Sequence, residues 1–218
     1  MNECASEPCR VVVLISGSGS NLQALIDAQQ QKQLPIVIVA VISNKANAYG
    51  LQRANQAGIP AITIEHKLFH DREDFDQVLM QEIDQNRPDL VVLAGFMRIL
   101  TAVFVRYYEG RLLNIHPSLL PKYQGLHTHQ KVLAAGDKQH GATVHFVTEK
   151  LDGGPVVVQA VVPITPNDTE QSLAKKVQTQ EHRIYPMAVQ WFASKRLSLA
   201  TDQVFLDGEL LPETGHRV

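Results

Sequence analysis

After a short polar lead, the chain runs through five consecutive aliphatic positions, Val11 to Ile15, into Ser16-Gly17-Ser18-Gly19-Ser20-Asn21. A run with no polar alternation predicts a strand covered on both faces. From Leu22, the spacing of Leu22, Leu25 and Ile26 predicts a helix to about Gln31. Pro35 then opens a second buried strand, Ile36 to Ile42, which Ser43-Asn44-Lys45 closes. A helix over Leu51 to Gln56 stops at Gly58, a residue suited to a helix C-terminus, and Ala61 to Ile64 reads as a third strand. Phe75, Val78, Leu79, Glu82 and Ile83 mark the turns of a helix from Asp71 to Gln85. Leu90 to Leu93 is a fourth strand, left by the loop Gly95-Phe96-Met97-Arg98-Ile99-Leu100. Strands alternating with helices in this way predict parallel βαβ units.

Beyond a strand at Arg111 to Ile115 the pattern changes. His140 to Val147 alternates, and Val156 to Val162 follows it after Asp152-Gly153-Gly154-Pro155, so antiparallel pairing is expected here. The longest helical stretch is Thr169 to Phe192, and residues 207–218, with Gly208, Pro212 and Gly215, read as loose. The expected architecture is one α/β domain, a mixed and mostly parallel sheet with helices on both faces.

Composition narrows the classes. At 218 residues, 44% hydrophobic and 19% charged, the chain can bury a full core and is not of the disordered type. A formal charge of −2 argues against a nucleic-acid binder. No apolar run is long enough to span a bilayer, and residues 1–9, with Glu3 and Glu7, lack the apolar centre of a signal peptide. Cys4 and Cys9 fall in that leader, read as unattached to the fold and compatible with a reducing compartment. The expectation is a cytoplasmic protein with no membrane and no nucleic-acid partner.

The chemistry concentrates in Asn114-Ile115-His116-Pro117-Ser118-Leu119-Leu120-Pro121. Two prolines stop the strand abruptly, leaving Asn114 and His116 two residues apart on one face at its carboxyl end. Open α/β sheets keep their ligand crevices at such strand ends. Asn is a neutral hydrogen-bond donor and His changes charge near neutral pH, so the pair could hold a developing oxyanion and pass a proton. Asp152 stands in a strong turn signal. It is either the local acceptor of a hairpin turn or a carboxylate beside His116, where it would favour the imidazolium and allow general acid catalysis.

Strand, glycine-rich turn and helix around Gly19, Ser20 and Asn21 present free backbone N–H groups to a phosphate. The third glycine of the dinucleotide fingerprint is replaced by Leu22, and no Gly-Lys-Ser/Thr follows, so a phosphate monoester is favoured over NAD or a nucleoside triphosphate. Nine histidines invite a metal reading, with His127-x-His129, His140 and His145 close in sequence, but no HExxH or helical acid/His pair supports it. No metal is expected. His127, His129 and His145 are read as crevice walls, and His66, His70 and His182 as ordinary positions. Gln178-Thr179-Gln180-Glu181 could meet ribose hydroxyls or an amine, or be a solvated helix face.

Taken together, Ser16-Gly17-x-Gly19-Ser20-Asn21, Gly95 to Leu100, Asn114 to Pro121 and Leu151-Asp152-Gly153-Gly154-Pro155 resemble one family. It is the phosphoribosylglycinamide formyltransferases, folate-dependent enzymes of purine synthesis, and the likeness runs from about Arg10 to Trp191. The resemblance implies a Rossmann-like formyltransferase fold, with a phosphate-binding N-terminal half to about residue 110 and a catalytic and folate-binding half beyond it. It implies Asn114, His116 and Asp152 as the catalytic trio. Gly19, Ser20 and Asn21 match the phosphate site, with Gln178, Thr179, Gln180 and Glu181 as further contacts to that substrate. Arg72, Met97, Arg98, Ile99, Leu100, Asn114, Thr148, Glu149, Lys150, Leu151 and Asp152 match the folate site. The implied co-substrate is 10-formyltetrahydrofolate, with no NAD, and the implied assembly a monomer or homodimer. Gln124 departs from the family, which often has Pro before Gly125, and that bears on the loop's rigidity. Methionyl-tRNA formyltransferase, expected to carry a C-terminal tRNA-binding domain, and formyltetrahydrofolate hydrolase, expected to carry an N-terminal regulatory domain, are rivals. A non-catalytic nucleotide- or folate-binding module is the rival of another class.

Overall fold

A computed structural model describes residues 7–218. The first strand, β1 (Cys9–Ile15), is fully enclosed from Val11 to Ile15. Val11, Val13 and Ile15 pack to one side of the sheet and Val12 and Leu14 to the other, which is why this run has no polar alternation. Helix α1 (Ser20–Gln30), strand β2 (Ile36–Ser43), helix α2 (Tyr49–Gln56) and strand β3 (Ala61–Thr63) carry the chain outward on one side of β1. Helix α3 (Arg72–Gln85) brings it back to β4 (Leu90–Leu93) on the other side of β1, and α4 (Ala102–Tyr107) leads on to β5 (Leu112–His116). The strands β1 to β5 are all parallel.

Helix α5 (Thr128–Ala135) then precedes β6 (Gln139–Phe146) and β7 (Val156–Pro163), which pair antiparallel as the alternation predicts. The long α6 (Glu170–Ala193) starts from a capping box in which Thr169 and Ser172 satisfy each other's backbone N–H groups. The core is two-sided. One layer gathers Leu22, Leu25, Leu51, Val132, Leu173 and Tyr185 from α1, α2, α5 and α6; the other gathers Phe75, Leu79, Ile83 and Phe104 from α3 and α4, with Tyr108 just after α4.

Three sequence readings are corrected. Cys9 is not outside the fold: it starts β1, donates its N–H to Pro35 and is half-buried, with burial pushing its thiol up to about 11. Cys4 lies outside the described residues. Residues 207–218 are not uniformly loose. After α6 the chain forms an antiparallel meander, β8 (Leu197–Ala200), β9 (Gln203–Leu206) and β10 (Glu209–Leu210), and then β11 (His216–Arg217), which joins the main sheet parallel to β7. Thr201 and Asp202, both at positive φ, make the first tight turn of the meander, and Asp207-Gly208 the second. The helices α4 and α5 have no counterpart among the elements that the sequence predicts.

Candidate active site

The strand order reverses at β1, which has β2 on one side and β4 on the other. Such a switch point leaves a crevice beyond the strand carboxyl ends, and the segments leaving β1, β4 and β5 all open onto it. Leaving β1, Gly19 adopts φ +69° at the head of α1, and a Cβ there would lie 2.6 Å from the Cα of Gly50. The glycine loop therefore rests directly on the first turn of α2, where the Gly50 N–H donates to Gly17 (3.0 Å). Arg53, one turn later, donates to the Ser18 carbonyl (2.9 Å) and to Gln23 (3.0 Å). No side chain caps α1, so its first-turn N–H groups and positive dipole end are available to an anion.

Helix α6 supplies the opposite wall. Gln178 donates to the Ser20 hydroxyl (3.1 Å), and the Asn21 amide donates to Glu181 (2.9 Å). Those two residues are three apart on one helix face, which is why they meet the loop together. Thr179 is exposed with its hydroxyl turned back to the Lys175 carbonyl, while Gln180 is half-buried. Burial pushes the Glu181 carboxyl above the usual carboxylate range, against the Asn21 bond that lowers it. The Asn21 Oδ1 atom is buried without a partner. That oxygen is an acceptor waiting for a donor.

At the end of β5, Asn114 and His116 lie on one face as the period of two requires. Asn114 is directly opposite His145 across the β5–β6 ladder, and its Nδ2 lies 3.1 Å from His145 Nε2. His145 Nδ1 donates to the Phe146 carbonyl (2.8 Å), so Nε2 is the acceptor and takes one Asn114 proton. Complete burial pushes the His145 ring down to about 4, which keeps it neutral and in that role. The second Asn114 N–H and its carbonyl are left for the crevice.

His116 is 6% exposed. Its Nε2 donates to the Tyr123 carbonyl (2.9 Å) and its Nδ1 lies 3.5 Å from the Asp152 carboxylate. The same carboxylate accepts from the Gly125 N–H (2.8 Å) and approaches His145 to 4.0 Å. Each ring nitrogen thus faces an oxygen, a carbonyl on one side and a carboxylate on the other. Asp152 sits at φ +47°, in the left-handed region that Asp tolerates. Gly154 is required next to it, since a Cβ there would run into the Phe146 carbonyl. Gln124 donates to the Asp152 carbonyl (3.0 Å), tying the loop after β5 to the turn that carries the acid.

The remaining sequence-predicted residues lie on the loop after β4, on the segment before Asp152 and at the start of α3. Met97 and Ile99 are exposed, Arg98 and Leu100 half-buried, with the Arg98 guanidinium 5.7 Å from the Phe75 ring centre and its Nε buried without a partner. Thr148, Glu149, Lys150 and Leu151 precede Asp152, and Glu149 pairs with Arg106 (2.8 Å). Arg72 is exposed at the start of α3 and takes no part in the hydrogen bonds that join the trio. A cavity of about 880 Å³ lies along the outer side of this segment, between Val105, Glu149, Gly154 and Leu211, and the trio does not line it.

The histidines divide differently from the sequence reading. His145 does form the wall behind Asn114, and His129 bonds to the buried His140 (3.0 Å), but His127 is exposed at the head of α5. His66 is not merely a surface position: it meets Asn44 (2.9 Å to the carbonyl). Among the described residues no group of three or more His, Cys, Asp or Glu is arranged to hold a metal ion. The sequence reading names Ser16 only as part of the glycine-loop motif, without a role, and passes over Gly50, Arg53 and Tyr123. Gly50 alone of these had a signal, as the glycine just before a predicted helix.

Asn114 and His116 close β5 with Asp152 set against His116, and the glycine loop follows β1. The formyl transferase family profile matches residues 9–189, and the chain belongs to that family. Within it, the chain is 56% identical over 206 residues to the phosphoribosylglycinamide formyltransferase of Escherichia coli K12, spanning 94% of this chain and 97% of that one. The human trifunctional purine biosynthetic protein adenosine-3 is 46% identical over 190 residues, 87% of this chain but 19% of that one. The solved phosphoribosylglycinamide formyltransferase of Coxiella burnetii superposes with a TM-score of 0.94 at 55% identity, covering 97% of this chain and 99% of that one.

Proposed function

We propose that this chain carries the formyl group of 10-formyltetrahydrofolate to the amine of 5-phosphoribosylglycinamide, in the cytoplasm, as a step of purine synthesis. The observation that carries the reading is the convergence of Asn114, His116 and Asp152, with a neutral His145 behind them, at the crevice that the glycine loop also faces. In this reading Gly19, Ser20 and Asn21 hold the phosphate, while Gln178, Glu181 and the flanking positions of α6 receive the ribose and glycinamide end. Residues Met97 to Leu100 and Thr148 to Asp152 receive the folate, with Arg72 at its outer end. The N-terminal half to about residue 110 thus binds phosphate, and the rest supplies catalysis and most of the folate site.

The amine nitrogen attacks the formyl carbon, and the carbonyl oxygen becomes an oxyanion. The free Asn114 N–H donates to it, and the positive charge of His116, supported by Asp152 and the Tyr123 carbonyl, stabilises it at close range. Collapse breaks the bond from that carbon to the folate nitrogen. One proton moves from the attacking amine to the departing nitrogen, carried by His116 once its Nε2 leaves the Tyr123 carbonyl, or by an ordered water. No side chain forms a covalent bond, because both reactants are held together and proximity supplies much of the rate.

Incubation with both substrates tests the reading. Formylated ribonucleotide with tetrahydrofolate is expected. Free formate would instead mean water as the acceptor, and no product would mean a binding module.

A further inference from the structure

One buried hydroxyl ties together the segments that leave β1, β4 and β2 at the switch point. Ser16, the first residue after β1, is 4% exposed, and its Oγ accepts the Met97 N–H at 2.7 Å. The hydroxyl proton goes to Asn44 Oδ1 at 2.6 Å, and Asn44, 2% exposed, stands immediately after β2. The Asn44 amide in turn lies 3.1 Å from His66 Nδ1. The directions are fixed by chemistry: an amide N–H only donates and a carboxamide oxygen only accepts, so the hydroxyl is committed on both sides. Ser16 opens directly into Gly17, Ser18 and Gly19, whereas Met97 lies in the loop leaving β4. Moving either loop breaks a bond of a buried group that has no water to replace it.

We propose that the Ser16 hydroxyl couples the two substrate sites, so that a phosphate monoester ordering the glycine loop also fixes the Met97 loop for a pterin. This rests on the assignment of those loops to the ribonucleotide and the folate. Ser16 acts as a positioning residue, touching neither reactant. The coupling is reciprocal, so each ligand tightens the other by one factor.

Calorimetric titration of tetrahydrofolate, with and without saturating glycinamide ribonucleotide, reads it directly. In the unaltered chain the ribonucleotide is expected to tighten folate by about 5–10-fold, at the low end of such couplings. Ser16→Ala is expected to bring that factor close to one while each ligand alone binds within about 2-fold of the unaltered chain, and Ser16→Thr, which keeps the hydroxyl, to recover the factor. A purely structural bond would lower the melting temperature and leave the factor intact. Should Ser16→Ala not fold, Asn44→Ala carries the test, because it frees the hydroxyl to rotate away from Met97 and is expected to reduce the factor. The same tightening in the altered and unaltered chains, or none in the unaltered chain, overturns the inference. Failure of either ligand to bind the unaltered chain at all overturns the functional reading instead.

Discussion

At the scale of single residues, the site works by leaving few side-chain protons uncommitted. Asn114 gives one N–H to a histidine that burial keeps neutral, which orients the other toward the crevice. Asn114→Ala is expected to lower kcat by about 10²–10³, the usual cost of losing an oxyanion donor, while both substrates still bind by calorimetry. A fall in affinity with kcat intact would assign Asn114 to binding alone. Gln124 offers a second test. Its amide holds the Asp152 carbonyl, and one such bond is worth roughly 0.5–1.5 kcal/mol. Gln124→Ala is expected to reduce turnover by about 2–10-fold. Gln124→Pro, which fixes φ and so stiffens the loop by another means, is expected to recover most of it. Equal loss in both variants would show that the amide itself is needed.

At the scale of elements, close backbone approaches set where the functional segments lie. Gly19 against Gly50 seats the glycine loop on α2, and Gly154 against the Phe146 carbonyl sets the turn that aims Asp152. Gly154→Ala is expected to destabilise the chain by about 1–3 kcal/mol through forced displacement of β6 and β7, and to lower activity beyond the loss of folded protein. Thermal melts paired with rate measurements on the folded fraction check this, and an unchanged melt would mean the turn yields freely. Elements also mark the limit of pattern reading. The βαβ half was legible because its strands are uniformly apolar and its helices keep a 3.6 period. The two helices α4 and α5 are only 6 and 8 residues long, too short for the period to declare itself. The meander had signals in Thr201-Asp202 and Asp207-Gly208, but apolar β8 and β9 are four residues each.

At the scale of the molecule, buried histidines make stability depend on pH. Burial pushes His140 and His145 down to about 4 from 6.5. The folded chain keeps them neutral where the unfolded chain protonates them, so the unfolded state binds more protons between those values. Their contribution is therefore full above about pH 6.5 and is lost as the pH falls toward 4, at up to about 1.4 kcal/mol per pH unit for each ring. Glu181, raised by burial, acts with the opposite sign above the ordinary carboxylate range and offsets part of this. Urea midpoints are expected to fall between pH 7 and pH 5, and a flat profile would show that the rings titrate in the folded chain.

By itself the sequence determined the layered α/β architecture and the residue types of the trio, because strand period, helix period and proline stops are local properties of the chain. It placed Asn114 and His116 on one face for the same reason. Tertiary structure alone decided that Asp152 meets His116, that His145 pairs with Asn114 across a ladder, and that Ser16 reaches Met97. Each of those depends on strand order and register, which arise when segments far apart in sequence bury their apolar faces against one another. Only then do the distances between polar groups exist.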